Sequence, residues 1–410
     1  MRIGNKCFYW DATKSLFVNK FLKHKNKDRK IRVGFIIREL AVLNKSQSII
    51  DELSNDDRFE VQLLCIPCDL IEKDSKYNDT YNLCLSLGYD NLINLLKEDG
   101  SWLAIKNLDL DYVFYNSPYN DFYPYEYKSK NVSKYSKICV LLYAMTLSKN
   151  EVSVTLNKDF FKYVYYYFAE VEGAVKYNSN RFLLTHLCGL QKTKFFGMPA
   201  LGYFFNRKSK ASKSWMFSKN NFRVIWTPRW TTNKALGGSN FFEYKDKILS
   251  FFENHKNVDL LIRPHPLMFL NFLETGELTT KDYNDFIDKV NSMPNVDIDS
   301  EKEYVDTFHN SNILISDYSS VITEYLMTGK PVIYCKNNMI LELTDDGTKF
   351  INMCYCAENS SDLFAYLQCL IDGIDEMKEV REAKVEEIGS GIISTSTKNI
   401  IKELVDDYYA

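Results

Sequence analysis

Residues 313–335, ILISDYSSVITEYLMTGKPVIYC, leave few folds open to this chain. Two short apolar runs, 313–315 and 332–334, have the β-branched content of strands buried on both faces. One helix's worth of chain separates them, closed by Gly329 and by Pro331 ahead of the second run. A strand, a helix and a strand at this spacing make a crossover unit, which commits the two strands to a parallel sheet. The first turn is the unusual part. Ser316-Asp317-Tyr318-Ser319-Ser320 sets four polar side chains and a tyrosine where the helix should begin.

The same alternation runs along the chain. KIRVGFIIREL reads as a buried strand, SQSIIDELSNDDRF as a short helix and FEVQLLCIP as the next strand. Further strands are expected at 111–115, 138–143, 163–168 and 194–197, then at 223–227, 259–262, 296–298, 313–315 and 332–334. Helices are expected near 241–255, 302–309 and 319–328, and the acidic tail 361–408 reads as two or three more. Residues 206–223 contain no acidic residue and little periodicity, which suggests an interdomain linker. At 410 residues the chain exceeds one ordinary core. The expected organisation is a basic segment 1–30, a Rossmann-like domain 31–205, a linker 206–222, a second Rossmann-like domain 223–390 and a C-terminal helix 391–410. The fold class is therefore α/β, two Rossmann-like domains facing an interdomain cleft.

A net charge of −3 argues against general nucleic-acid binding, but the charge is unevenly spread. Residues 1–32 hold ten Lys and Arg against Asp11 and Asp28. In ATKSLFVNKFLKHKNKDRK, Leu16, Phe17, Phe21 and Leu22 recur at helical spacing among Lys14, Lys20, Lys23 and Lys25. Such a helix either lies on an anionic membrane surface or packs on the first domain with solvated lysines. No run approaches the ~20 apolar residues of a membrane span, and the start lacks a signal peptide's apolar core. A reducing cytoplasm is the expected compartment, peripheral on the inner face of the membrane if the helix binds it. Ten cysteines lie mostly in apolar runs, and Cys65 and Cys68 read as core thiols rather than a metal or redox pair.

Ligands of such sheets bind beyond the carboxyl ends of the strands. In the second half those positions carry TPRW (227–230), RPHP (263–266) and SDYSS (316–320); in the first half, REL (38–40), NSPYND (116–121), YAMT (143–146) and AEVE (169–172). Ser319 and Ser320 stand at a helix N-terminus, where free N–H groups and the dipole favour a phosphate; simple capping needs only one serine. Arg229, Arg263 and His265 add donors from the two other loops. Glu324 suits ribose hydroxyls, or is a solvated helix residue. Asp317 would repel a diphosphate, so it should turn inward, to fix its loop or to orient His265. GxGxxG and Walker loops are both absent. Asp109 and Asp111 in LDLDYV precede a strand, the wrong end for a metal–nucleotide site, so neither a metal nor a cofactor is expected. His24, His255 and His309 read as solvated, and His186 as a core-edge residue.

RPHP, followed about fifty residues later by ISDYSSVITEYLMTGKPVIYC, resembles the CDP-glycerol glycerophosphotransferase family, which builds teichoic acids and related capsule polymers. GMPALGYF (197–204) and WTPRW (226–230) look like two further blocks, so the resemblance spans about 195–340. It implies a GT-B architecture, a CDP-activated alditol donor held by the second domain, and a polysaccharide or lipid-linked acceptor. Carried over, it puts His265, Ser319 and Ser320 on the donor diphosphate with Arg229 and Arg263 nearby. The family's Trp-His-Gly block, implied to supply the general base, has no counterpart in KICVLLYAMTLS. Either another strand-end group, such as Asp121, Glu170 or Glu39, takes the acceptor proton, or the acceptor and donor differ from glycerol phosphate. The rival readings are a GT-B glycosyltransferase using a nucleotide sugar and a non-catalytic polymer- or lipid-binding relative.

Overall fold

The computed structural model describes residues 2–3, 6–7, 9–22, 28–67, 79–206, 210–301, 304–336 and 341–410; Lys23, His24, Lys25 and Cys68 lie outside the described residues. The chain divides into two compact units, Met1–Gly202 together with Ser390–Ala410, and Tyr203–Gly389.

The first unit is built on β1 (Ile31–Ile37), β2 (Phe59–Cys65), β3 (Leu92–Asn94), β4 (Tyr112–Tyr115), β5 (Lys137–Val140), β6 (Val164–Ala169) and β7 (Lys192–Phe195). All pairings are parallel and the spatial order is β3-β2-β1-β4-β5-β6-β7. Helices cover both faces of such a sheet, so its central strands must be apolar throughout; every residue of β4, β5 and β6 is buried. The second unit repeats the plan with β8 (Phe222–Thr227), β9 (Val258–Ile262), β10 (Val296–Ile298), β11 (Ile313–Ser316), β12 (Val332–Cys335) and β13 (Tyr355–Ala357), ordered β10-β9-β8-β11-β12-β13. In both sheets the order reverses between the first and fourth strands. A crevice opens there at the carboxyl ends, because successive helices cross to opposite faces.

Two features depart from the expected organisation. The stretch 206–222 is no linker over its described part. Trp215 is buried, its indole N–H donates to the Thr307 carbonyl at 3.0 Å, and Ser214 Oγ donates to Asp299 at 3.0 Å, both within the second unit. Nor is the C-terminal helix a separate appendage. Ser394–Tyr409 packs on the first sheet through Ile400, Ile401, Leu404 and Tyr408. Its buried Asp407 meets Lys137 Nζ at 2.5 Å and Lys192 Nζ at 2.9 Å, and accepts from the hydroxyls of Tyr112 at 2.8 Å and Tyr165 at 2.7 Å.

At the other end, the helix Trp10–Phe17 continues as a π-helical turn, Val18–Leu22. Ala12, Leu16 and Asn19 face inward, and Asn19 Nδ2 donates to the carbonyls of Ser133 and Ser136. Phe17 and Phe21, grouped with Leu16 by spacing alone, point the other way and are exposed.

Candidate functional site

Three loops meet where the neighbouring strands β9, β8 and β11 end. The parallel register sets Trp226 opposite Ile262 on one side and opposite Ile315 on the other, so the three loops leave the sheet at one level. The β8 loop is tied to the β11 loop by Arg229, whose backbone N–H donates to Asp317 Oδ2 at 2.9 Å. The Arg229 guanidinium donates to the Tyr318 carbonyl and lies 5.5 Å from the Tyr318 ring centre. Gly237 abuts the same guanidinium with φ +100°; a Cβ there would come within 2.8 Å of Arg229 Nε. Gly237→Ala is therefore expected to combine left-handed backbone strain of about 1–2 kcal/mol with displacement of Arg229. Urea unfolding should read the first, and a several-fold loss of affinity for inorganic pyrophosphate the second. Unchanged affinity in a folded variant would detach Arg229 from the site.

Asp317 does turn inward. It is buried and accepts from Ser239 Oγ at 3.1 Å and Asn240 Nδ2 at 2.8 Å as well as from the Arg229 N–H. Burial pushes its pKa up while these hydrogen bonds oppose the rise. Its work is to hold the 229–240 loop.

The β9 loop joins the β8 loop through the His265 N–H, which donates to the Pro228 carbonyl at 3.2 Å. His265 Nδ1 accepts from the Leu267 N–H at 3.2 Å, which leaves the proton of the neutral ring on Nε2. One side of the residue is open to solvent and Trp230 flanks it, with ring centres 6.2 Å apart. The surrounding packing, first, and the Arg229 charge, second, hold its pKa down at about 4. His265 is thus a neutral Nε2–H donor near pH 7 rather than the cation its sequence context suggests.

Ser320 occupies the N-cap of the helix Val321–Leu326 with right-handed helical backbone, and its side chain makes no capping bond. Ser319 Oγ is approached by the Val321 N–H at 3.5 Å, the outer limit of a hydrogen bond. Capping therefore does not account for two serines. Arg263 and Glu324 sit deeper. Arg263 donates to Asp299 at 2.5 Å and to the Glu301 carbonyl at 2.9 Å, and lies 4.6 Å from the Tyr304 ring centre. Glu324 is only 2% exposed and accepts from the Tyr304 hydroxyl at 2.6 Å. Neither is a solvated charge: Arg263 is paired with Asp299 and lies by the Tyr304 ring, and Tyr304 binds Glu324. Tyr304, Ser239 and Asn240 were not singled out by sequence, because each acts across a fold rather than within a motif.

In the first unit the proposed acids separate. Glu170 is buried, with Thr146 Oγ1 and the Tyr167 hydroxyl each donating to it at 2.6 Å, and burial raises its pKa. Asp121 is exposed on the turn Asn120–Phe122. Glu39 is half-buried just past β1, one of the two strands where the order reverses. Asp111 lies at the amino end of β4, bonded to Arg29 at 2.8 Å, and Asp109 is 3.3 Å from Arg32. His186 is bonded through both ring nitrogens to Phe182 and Thr193 at 2.9 Å, as a core-edge residue. His255 and His309 are half-buried rather than solvated; His255 stacks on Phe251 at 4.0 Å.

Residues 192–341 match the family model described as CDP-Glycerol:Poly(glycerophosphate) glycerophosphotransferase. The match holds all three loops of the second-unit site. No curated protein matches the chain. Among solved structures, the UDP-GlcNAc 2-epimerase of Neisseria meningitidis bound to UDP-GlcNAc is 15% identical with a TM-score of 0.58, covering 92% of this chain and 100% of its own. That of Methanocaldococcus jannaschii in complex with UDP-GlcNAc and UDP is 14% identical with a TM-score of 0.51, covering 92% and 99%. A glycosyltransferase of Rickettsia africae is 11% identical with a TM-score of 0.51, covering 92% and 98%. At these identities the likeness is one of fold, and that fold is GT-B.

Proposed function

We propose, on the premise that residues 192–341 carry the glycerophosphotransferase family's match, that this GT-B transferase moves an alditol phosphate from a CDP-activated donor to a hydroxyl of a growing surface polymer. The observation that supports it best is the convergence of Arg229, His265, Ser319 and Ser320 from three adjacent strand ends. A diphosphate at that point would receive a guanidinium, an imidazole N–H, two hydroxyls and backbone N–H groups. Arg263 and Glu324 act beneath it as positioning residues. The acceptor oxygen attacks the β-phosphorus, a new P–O bond forms, the bond to CMP breaks, and the acceptor proton leaves to a general base. Such chemistry depends on positioning and charge neutralisation, which these donors provide.

A thermal-shift comparison of CDP-glycerol, CDP-ribitol, CMP and UDP-sugars tests the donor class. The cytidine compounds should stabilise the protein and the UDP-sugars should not. The first unit's lack of a strand-end histidine at 138–148 favours keeping one rival, a nucleotide-sugar glycosyltransferase. Release of UDP or GDP instead of CMP would establish it.

Ser319 and Ser320 should act through binding. Each neutral hydroxyl contact contributes about 1 kcal/mol, so the double alanine variant should weaken donor affinity roughly tenfold or more and clearly beyond either single variant. Isothermal titration with the CDP-alditol decides it; an unchanged dissociation constant removes the serines from the site.

The polymer acceptor suggests a place of work at the inner face of the cell membrane. Among the described residues no helix is long and apolar enough to cross a membrane.

A further inference from the structure

The loops that follow β4 and β5 in the first unit present aromatic side chains that the core leaves uncovered. Tyr119 and Phe122 follow β4, and Tyr143 follows β5. Phe122 is 39% exposed and Tyr143 36%, while Tyr119 is half-buried. The Tyr119 and Phe122 ring centres are 5.1 Å apart, and Tyr143 is hydrogen-bonded to Tyr119 through its side chain. The three rings therefore make one surface.

That surface is pinned. Asn116 Nδ2 donates to the Leu141 carbonyl at 2.7 Å, and the Tyr143 N–H donates to the Asn116 carbonyl at 3.2 Å, so the two loops are tied together. The Tyr123 hydroxyl donates to the Ser117 carbonyl at 2.7 Å, Asn157 Nδ2 donates to the Pro118 carbonyl at 2.6 Å, and the Tyr119 hydroxyl meets Thr155 Oγ1 at 3.1 Å. Rings held in this way lose little freedom on meeting a ligand.

The charge here is unlike that of the second-unit site. Residues 116–127 and 141–148 contain Asp121 and Glu126 and no lysine or arginine. Burial and then Tyr119 raise the Tyr143 pKa, and the charges of Glu151 and Glu39 add to the rise, so both carboxylates act on this ring. Arg38, which follows β1, is buried with its guanidinium 4.8 Å from the Phe122 ring centre and 5.7 Å from that of Tyr123. A buried cation against the rings leaves the exposed face to aromatics and carboxylates.

We propose that this face holds an uncharged sugar residue of the acceptor, with Phe122 and Tyr143 against its C–H surface and Asp121 accepting from its hydroxyls. Charge chooses this occupant. A sugar offers apolar C–H faces to rings and O–H donors to carboxylates, and the two loops supply both partners. A phosphodiester chain would instead bring repeated negative charge toward Asp121, Glu126 and Glu39, with no cation on either loop to receive it. The inference rests on the transferase reading above for calling this sugar an acceptor. It narrows that acceptor to a polymer ending in an uncharged sugar rather than in a polyol phosphate.

The test is saturation-transfer NMR on the full chain with three neutral disaccharides, diacetylchitobiose, cellobiose and lactose, and with poly(glycerol phosphate) as the anionic comparison. At least one disaccharide should receive saturation from wild type, and the polyanion should not. Phe122→Ala and Tyr143→Ala should each weaken that binding about fivefold, the scale of one aromatic contact, and Phe122→Tyr should retain it. Thermal unfolding identifies a variant that has lost its fold, and the other then carries the comparison. Failure of all three disaccharides to bind wild type overturns the proposal, as does equal binding by the folded alanine variants. So does binding of poly(glycerol phosphate) that Phe122→Ala abolishes, which would give the face to a polyanion. A missing CDP-glycerol thermal shift in wild type speaks only against the proposed reaction.

Discussion

His265→Ala is expected to lower turnover by about a hundredfold or more while the protein remains folded, the scale seen when a preorganised donor to a developing charge is removed. The imidazole is held by its own backbone N–H to Pro228, by Nδ1 to the Leu267 N–H and by the flank of Trp230, so it loses little freedom on meeting a phosphate. Its pKa, held down at about 4 by packing and by Arg229, also gives a pH signature. A bound diphosphate favours the imidazolium, so the pKa rises on binding. Protons are then taken up with the donor, and donor affinity should tighten as pH falls from the pKa of the complex toward about 4. His265→Ala should flatten that dependence. Near wild-type turnover, or an unaltered pH dependence of donor affinity in the variant, would dismiss the histidine from the site.

Asp407→Ala should destabilise the first unit by about 3–5 kcal/mol, the usual result of deleting one partner of a buried ion pair. Lys137 is buried, and without the carboxylate its ammonium would be left over the rings of Tyr112 and Tyr165 with no counter-charge from Asp407. Burial alone would raise the Asp407 pKa, but Lys137 and Lys192 outweigh it and hold the group well below the ordinary carboxylate range. The sign follows from that depression. The contribution is present above the unfolded-state value of about 4 and is lost as pH falls through the lower folded value. Urea unfolding at neutral and acid pH should show wild type losing this increment in acid and Asp407→Asn lacking it throughout. Equal pH slopes for the two proteins would mean that the lysines do not depend on Asp407.

The parallel sheets were legible because their central strands are buried on both faces and so read as unbroken apolar runs. Leu92–Asn94 and Tyr355–Ala357 escaped notice for the opposite reason. Each is three residues long; Leu92–Asn94 forms one sheet edge, where burial no longer dictates composition, and Tyr355–Ala357 forms an edge of the other. The site loops were visible through Pro228, Pro264 and Pro266 and through the polar turn at 316–320, all local signals. What those loops hold onto was not visible. Asp317 reaches residues 229–240, Arg263 reaches Asp299 and Glu324 reaches Tyr304, and no spacing rule links residues brought together by the sheet's reversal. The linker was misread from composition alone. Absence of acid and weak periodicity describe a solvated tether, and equally a strap pinned by one tryptophan.

The return of Ser394–Tyr409 to the first unit sets the order in which this protein becomes complete during synthesis. β5 and β7 leave the ribosome with Lys137 and Lys192 lacking their carboxylate, and the face meant for Ile400 and Leu404 stays bare until the second unit has been made. The second unit, Tyr203–Gly389, is one unbroken stretch of chain and is free to fold first. The earlier-made half must wait, exposing an apolar sheet face over that interval, and closing it requires contacts across more than two hundred residues. A chain truncated after residue 389 should therefore carry a protease-resistant second unit joined to a first unit still open to cleavage and to chaperones.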